Sequence, residues 1–213
     1  MKIVIFGAAG STGRVLVEQA LEKGYAVTAF DRQPQALMTI QHPKLSIVQG
    51  DIFNAEQVEA AIAGQDAVLC VLGVKPGVTI PVCSKGTENI IAAMQKVGVK
   101  RFICQSAFVV AALDGERREV SWILPLSLKL FPKVKSMFAD KLIQEREVRQ
   151  SDLDWIIVRP ATLTDGPKTG NYKAGVPLSI GLNAKISRAD VADFLLKQVV
   201  DDTYLRRVPR LRY

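Results

Sequence analysis

Three glycines at three-residue spacing follow the first apolar run of the chain. Gly7, Gly10 and Gly13 lie between the strand-like residues 2–6 and a helix-like stretch. At a strand-to-helix turn, small residues let the backbone approach a pyrophosphate, and the N–H groups of the helix N-terminus point at it with a favourable dipole. This context predicts a dinucleotide site, and a glycine-rich turn without a ligand is the alternative. The predicted contacts are Gly7, Ala9, Gly10, Ser11, Thr12, Gly13 and Arg14.

Strand-like and helix-like segments alternate along the rest of the chain, and this alternation predicts βα units with a parallel sheet. Beyond the first strand, we predict strands at residues 25–30, 45–49, 67–72, 101–105 and 155–159. Helices are predicted at residues 11–23, 54–63, 82–97 and 139–150, and from Ser187 to about Val200. We therefore expect an α/β fold, a doubly wound parallel sheet of the Rossmann type with strand order 3-2-1-4-5-6 and room for an extra C-terminal strand. Residues 1–213 would then form a single NAD(P)-binding domain.

The charge of the chain is strongly positive. Its 213 residues carry a formal net charge of +7, with 48% hydrophobic and 23% charged residues, which is ordinary for an α/β protein. Positive charge is concentrated at residues 129–141 and 206–212, without the interleaved aromatic residues or helix-turn-helix pattern of a nucleic-acid binder. We expect no nucleic-acid partner. The charge favours encounter with anionic small molecules such as NADPH, a flavin phosphate or a carboxylated pigment, and solubility alone is the alternative.

Cysteine usage and hydropathy indicate the compartment. Cys70, Cys83 and Cys104 show no metal-ligand spacing, and two of them fall in apolar strand-like runs, which suits reduced, buried thiols. We predict no metal site. No apolar run reaches the roughly 18 residues that cross a bilayer, and the first residues lead directly into a strand without a signal peptide. The expectation is a cytoplasmic protein without a transmembrane segment.

The choice of nucleotide depends on the end of the second strand, where Asp31 precedes Arg32. An acidic residue here accepts hydrogen bonds from the adenosine ribose and repels a 2′-phosphate, whereas an arginine binds that phosphate. Arg14 adds a second cation, so we predict NADPH rather than NADH; the alternative is that both arginines are solvated surface residues. Further predicted cofactor contacts, after the third and fourth strands, are Asp51, Ile52, Leu72 and Gly73.

Further motifs extend over nearly the whole chain. They are Gly64-Gln65-Asp66-Ala67-Val68, Ser106-Ala107-Phe108, Gly170-Asn171-Tyr172 and Ile186-Ser187-Arg188-Ala189-Asp190, with the glycine motif, Arg32, Gly50-Asp51 and Asp165. With these motifs the chain resembles the biliverdin IXβ reductase/flavin reductase family of atypical short-chain dehydrogenases, which is close to the NmrA-like proteins. The resemblance implies hydride transfer from NADPH to small-molecule flavins or bilins by a largely monomeric enzyme with broad acceptor tolerance.

Two residues match the catalytic pattern of this superfamily, and a third is missing. Typical short-chain dehydrogenases use a serine and a Tyr-x-x-x-Lys motif, because reducing a ketone creates an alkoxide that needs a positioned acid. Lys141 fits the lysine, but Met137 stands four residues earlier, and no tyrosine of the chain has a lysine four residues on. We predict that Lys141 binds the nicotinamide ribose and that Ser106 orients the nicotinamide or the acceptor. The alternatives are an exposed helix lysine and a hydroxyl that bonds local backbone.

The missing phenol favours a conjugated acceptor, which spreads the incoming charge and can take its proton from solvent. The family often has histidine where this chain has Thr162 and Lys141, and the chain's one histidine, His42, lies in a predicted loop. The residues predicted to border the nicotinamide, at the ends of strands five and six, are Cys104, Pro160, Thr162 and Leu163.

Residues 108–138 are the least family-like and are predicted to form a variable lid or substrate segment. Their apolar residues are interrupted by Pro125 and Pro132, which prevents a long regular helix. We interpret the segment as a hydrophobic flap over a flat acceptor; ordinary core, an interfacial membrane contact and a dimer contact are alternatives. The predicted acceptor contacts are Phe108, Trp122, Met137 and Thr162.

A second functional class fits the same residues. A non-catalytic NmrA-like protein that senses NADP or assists assembly would keep the nucleotide site and lose the tyrosine. A sugar epimerase or carbonyl reductase would need that tyrosine. We predict the reductase, with the sensor or assembly protein as the alternative.

Overall fold

Short parallel strands build the centre of the protein. The computed structural model describes residues 1–73, 80–115, 132–181 and 183–213, and for residues 132–137 it describes the backbone alone. The strands are β1 Lys2–Phe6, β2 Ala26–Asp31, β3 Leu45–Gln49, β4 Ala67–Cys70, β5 Arg101–Gln105, β6 Asp154–Pro160, β7 Thr162–Thr164, β8 Lys173–Gly175, β9 Lys185–Ser187 and β10 Arg210–Arg212. One sheet has the order β3-β2-β1-β4-β5-β6-β10-β8, and β7 pairs with β9 in a second sheet. The predicted order 3-2-1-4-5-6 is confirmed, and β10, parallel to β6, is the extra C-terminal strand.

Helices connect these strands and cover the sheet. They are α1 Ser11–Glu22, α2 Ala55–Ile62, α3 Val82–Val97, α4 Val110–Leu113, α5 Pro132–Gln150 and α6 Arg188–Lys197, with a 3-10 turn at Pro34–Leu37. The prediction that α5 begins at residue 139 is wrong, because Pro132 starts this helix at the position where a missing N–H does no harm. The prediction that the last helix reaches Val200 is also wrong, because the N–H groups of Val199 and Val200 bond three residues back, in a tighter turn.

The central strands β1, β4, β5 and β6 are buried on both faces. Ile5 of β1 packs in the core cluster that contains Leu16 of α1, whereas its neighbour Val4 packs with Ile90 of α3 and Val148 of α5. Successive side chains of a strand point to opposite faces, so a strand covered on both sides is apolar throughout. Each such side chain contributes about 1.5–3 kcal/mol on burial. This two-sided core fixes the sheet, and the carboxyl ends of β1, β4, β5 and β6 meet at one edge.

None of the helices in the described ranges combines the length and apolarity needed to cross a bilayer.

Candidate functional site

The glycine-rich turn joins β1 to α1 in a conformation that favours small residues. Gly7 has a φ of +81°, in the left-handed region where a side chain is strained. A Cβ atom on Gly13 would lie 2.1 Å from the Gly7 carbonyl oxygen and 2.7 Å from that of Ala8, so this position has no room for a side chain. Gly10 is the N-cap of α1 and offers no side-chain acceptor. The first-turn N–H groups of α1 can therefore bind a pyrophosphate.

The carboxylate of Asp31 lies against this turn. Its two oxygens accept hydrogen bonds from the backbone N–H groups of Ala9 and Gln33, each at 3.0 Å. Arg32 is exposed beside it, and Arg14 is exposed in an ion pair one turn along α1. The Asp31 carboxylate therefore faces the glycine-rich turn, and both arginines lie on the surrounding surface.

The predicted contacts after β3 and β4 converge on α3. A Cβ atom on Gly86 of α3 would lie 2.6 Å from Ile52 Cγ1 and 3.0 Å from Leu72 Cδ1, so the glycine lets the helix contact both residues. Ile52 is buried and Leu72 is half-buried, while Asp51 and Gly73 are exposed. Gly86 was not predicted as a site residue, because its only signal in the sequence is a small residue within a predicted helix.

Lys141 of α5 is buried, and its ammonium group is bonded to three protein acceptors. Nζ donates to the carbonyl oxygens of Leu72 at 2.7 Å and Gln105 at 2.8 Å, and to Gln144 Oε1 at 2.9 Å. Burial by itself would lower the pKa of Lys141, but this effect is outweighed, and the pKa raised, by the nearby Cys83, Cys104, Cys70 and Asp140. The three acceptors also match the three N–H donors of an ammonium group. The alternative of an exposed helix lysine is excluded, because the residue is 8% exposed.

Ser106 follows β5, and its hydroxyl group is buried without a partner. The residue is 3% exposed, and within the described ranges its Oγ makes no hydrogen bond. Its N–H donates to the Val158 carbonyl at 2.7 Å, and the N–H of Phe108 donates to the Pro160 carbonyl at 3.1 Å. This continuation of the β5–β6 pairing brings the predicted residues Ser106, Phe108 and Pro160 together. A buried polar group without a partner costs about 1–3 kcal/mol, which a ligand bonded to the hydroxyl would recover.

The other residues predicted at the nicotinamide differ in exposure. Thr162, at the start of β7, is exposed, and Leu163 is half-buried. Cys104 is fully buried in β5, in register with Cys70 of β4. Hydrogen bonding to Cys70 and burial raise the pKa of Cys104 well above its usual value. Cys104 therefore lies in the core next to Lys141 rather than on the surface of the site.

No tyrosine is hydrogen-bonded to Ser106 or Lys141, and all four tyrosines belong to the described part of the chain. Tyr172 bonds Asp193 and Lys197, and Tyr213 bonds Asp190. The other two pack against the core cluster of α1 and α6 without a hydrogen bond to the site; they are Tyr25 and Tyr204.

Two of the predicted acceptor contacts fall where side chains are not described. Trp122 lies outside the described residues together with the rest of residues 116–131, and only the backbone of Met137 is described. Residues 108–115 form a turn and α4, so the first part of the predicted lid segment is helical.

A buried ion-pair network adjoins this segment and was missed by the sequence analysis. Arg159 of β6 donates to both oxygens of Glu145, at 2.9 and 2.7 Å, and both side chains are 1% exposed. Arg149 bonds Glu145 and also Asp114, which directly follows α4. The available signal was an arginine inside the apolar run of β6.

Comparison with known proteins establishes the family. The sequence model of the family described as NAD(P)H-binding matches residues 7–202, and the chain belongs to this family. A chloroplastic protein of Arabidopsis thaliana, named only as uncharacterized, is 34% identical over 210 residues, which are 94% of this chain and 72% of that protein. The photosystem II assembly factor Ycf39 of Synechocystis is 26% identical over 220 residues, which are 97% of this chain and 61% of that protein. The chain thus spans less than two thirds of the assembly factor.

A solved structure has the same fold. The crystal structure of ChuY, described as an anaerobillin reductase from Escherichia coli O157:H7, superimposes with a TM-score of 0.81 at 21% identity, over 99% of this chain and 96% of that chain. The chain therefore belongs to an NAD(P)H-binding family and has a Rossmann-like fold.

Proposed function

We propose that the protein is an NADPH-dependent reductase that transfers a hydride to a conjugated planar acceptor, either a flavin such as FMN or a linear tetrapyrrole such as biliverdin. The observation that carries this proposal is the buried hydroxyl of Ser106, which has no hydrogen-bond partner among the described residues and lies beside Lys141. No tyrosine in the described part of the chain is hydrogen-bonded to either residue. Ligands of open α/β sheets bind at the carboxyl ends of the strands, where this hydroxyl lies.

The described residues at this edge can orient a ligand, and no tyrosine among them is placed to act as the usual acid. Bound NADPH supplies the hydride, and the acceptor gains that hydride and one proton while NADP⁺ remains. A simple ketone would need a proton donor within hydrogen-bond reach of the developing alkoxide. A conjugated acceptor spreads the charge and takes the proton from solvent. Ser106 then orients the nicotinamide or the acceptor, with Phe108 and Thr162 beside the acceptor.

We further propose NADPH as the preferred nucleotide, with Asp31 limiting the preference. Arg32 and Arg14 supply positive charge at the adenosine end. The Asp31 carboxylate, bonded to the Ala9 N–H, opposes a 2′-phosphate at the same place. The preference is therefore a balance between these three side chains, and NADH would also be used.

The deciding experiment is anaerobic stopped-flow oxidation of NADPH, and separately of NADH, with FMN, riboflavin and a panel of linear bilins. The Ser106→Ala variant should lower kcat about tenfold or more, because one positioned group is lost. Its melting temperature should not fall, because the hydroxyl has no partner to lose. Ser46→Ala, on the exposed surface of β3, is the matched control. Unchanged turnover in Ser106→Ala would refute the assigned role.

A second candidate is a non-catalytic NADP-binding sensor or assembly protein. The similarity to a photosystem II assembly factor favours it, because the chain aligns over 97% of its length with that protein. Tight NADPH binding without oxidation by any acceptor of the panel would select this candidate. Turnover with a flavin or a bilin would exclude it.

A further inference from the structure

The ammonium group of Lys141 belongs to a buried polar network that no part of the proposed reaction yet uses. Gln144, one turn along α5, is fully buried and accepts from Lys141 Nζ through Oε1. Its Nε2 donates to Thr87 Oγ1 of α3 at 2.8 Å and lies 3.6 Å from Cys70 Sγ at the end of β4. Gln144 therefore connects the lysine to α3 and to β4.

The lysine in turn connects the ends of two neighbouring strands. The carbonyls that it binds belong to Leu72, two residues beyond β4, and Gln105, the last residue of β5. They directly precede Gly73 and Ser106, the predicted cofactor contacts. The prediction that β4 extends to residue 72 is wrong, because the strand ends at Cys70 and the Leu72 carbonyl bonds the lysine instead of a neighbouring strand.

An ammonium group has three N–H donors, and here all three have protein acceptors at 2.7–2.9 Å. A hydroxyl of the nicotinamide ribose could bind Lys141 only by displacing one of them. Displacement would leave a buried carbonyl or amide oxygen without its donor, which is unfavourable. The arrangement therefore indicates that Lys141 connects protein segments and does not bind the ribose.

We propose that Gln144 is a positioning residue, which holds the Lys141 ammonium against the Leu72 and Gln105 carbonyls and so sets the strand ends that border the nicotinamide half of the cofactor. The inference rests on the proposed function only for its kinetic consequence. Its consequence for nucleotide affinity requires only that the protein binds NAD(P)H, as its family does. The adenosine half binds at the ends of β2 and β3, away from this network, and should be unaffected.

The test compares two ligands that differ in the nicotinamide half. Calorimetry measures Kd for NADPH and for 2′-phospho-ADP, which lacks both the nicotinamide and its ribose, in the protein and its variants. Gln144→Leu keeps the volume and removes the acceptor, Gln144→Glu keeps an acceptor, and Gln150→Leu, at the exposed end of the same helix, is the matched control.

In Gln144→Leu, Kd for NADPH should rise about tenfold, the value of one bond to a charged group, while Kd for 2′-phospho-ADP changes less than about twofold. Gln144→Glu should keep Kd for NADPH closer to the wild-type value, because its carboxylate still accepts from the lysine. Lys141→Met should change the two Kd values in the same way as Gln144→Leu. The double variant should bind NADPH no more weakly than either single variant, because both changes break the same hydrogen-bonded network. With an active acceptor, kcat should fall in Gln144→Leu as well.

Three results would overturn the proposal. Loss of thermal stability in Gln144→Leu with an unchanged ratio of the two Kd values would show a merely structural role. A changed ratio in Lys141→Met but not in Gln144→Leu would show that the lysine binds the ribose on its own. Failure of the wild-type protein to bind either ligand would overturn the site itself. Absence of turnover with every acceptor would refute the reductase, while the Kd ratios would still decide the role of Gln144.

Discussion

Alanine substitutions at Gly10 and Gly13 should separate nucleotide binding from folding, because the two glycines have different surroundings. The Cβ atom of an alanine at residue 13 would lie 2.1 Å from the Gly7 carbonyl oxygen and 2.7 Å from that of Ala8, both backbone atoms that cannot rotate away. At residue 10 the corresponding atom would lie 3.2 Å from the Gly7 carbonyl oxygen. Gly10 also has φ −69° and ψ 165°, extended backbone that any residue adopts.

The magnitudes follow from these distances. Overpacking at residue 13 costs about 3 kcal/mol, and the helix preference of alanine over glycine returns about 1 kcal/mol, leaving about 2 kcal/mol of destabilisation. For a domain of about 200 residues this lowers Tm by about 4–8 °C. Gly10→Ala should cost less than about 1 kcal/mol and less than about 4 °C. Its methyl group, however, would occupy the place of the pyrophosphate, so two charge-assisted bonds are lost and Kd for NADPH should rise at least about a hundredfold.

Thermal unfolding without nucleotide and calorimetric titration with NADPH and NADH measure both effects on the same samples. Gly10→Ala should melt near the wild-type temperature and bind neither nucleotide well, whereas Gly13→Ala should melt early. Wild-type affinity in Gly10→Ala would refute the placement of the pyrophosphate at this turn. Equal loss of stability in both variants would refute the steric argument.

Four other substitutions test the electrostatics. Arg32→Ala should raise KM for NADPH about tenfold and leave KM for NADH nearly unchanged, while Asp31→Asn should lower KM for NADPH; equal effects on the two nucleotides would contradict both roles. Glu145→Gln should lower stability by about 3–5 kcal/mol in chemical denaturation, because the charge of Arg159 stays buried with a weaker acceptor. Burial would raise the pKa of Asp193, but two lysines and a tyrosine hydrogen-bonded to it lower that pKa to about 2. The stability that the ionised Asp193 contributes is therefore fully present above its unfolded pKa of about 4 and is lost as pH falls through 2. The difference in unfolding free energy between wild type and Asp193→Asn should therefore shrink from about pH 5 to about pH 2. A constant difference would contradict this assignment.

The fold was predictable because its signals are local. Apolar runs such as residues 2–6 and 101–105 give strands covered on both faces, and the alternation with helices gives a parallel sheet. The errors occur where a local signal has two meanings. Pro132 reads as an interruption of a helix and is in fact its first residue.

The site was predictable only where its residues are contiguous. The glycine turn and the Ser106-Ala107-Phe108 run carry their own pattern, so their place at the strand ends follows from the fold. The contacts of Lys141 with Leu72 and Gln105 join residues 69 and 36 positions apart. A single sequence gives no pattern for such pairs, and Gln144 in particular reads as one more polar residue of an amphipathic helix.

The long-range contacts change what the matched residues can do. Lys141 fills the lysine position of the superfamily pattern, yet its three donors are bonded within the protein, and the phenol that such a lysine usually accompanies is missing. At this strand end, Ser106 keeps both donor and acceptor capacity, and a hydroxyl is too weak an acid to protonate an alkoxide unaided. The described residues of this edge can therefore orient a bound ligand without supplying its proton. Both the proposed reductase of a conjugated acceptor and the binding-only alternative meet that condition, so turnover is the measurement that separates them.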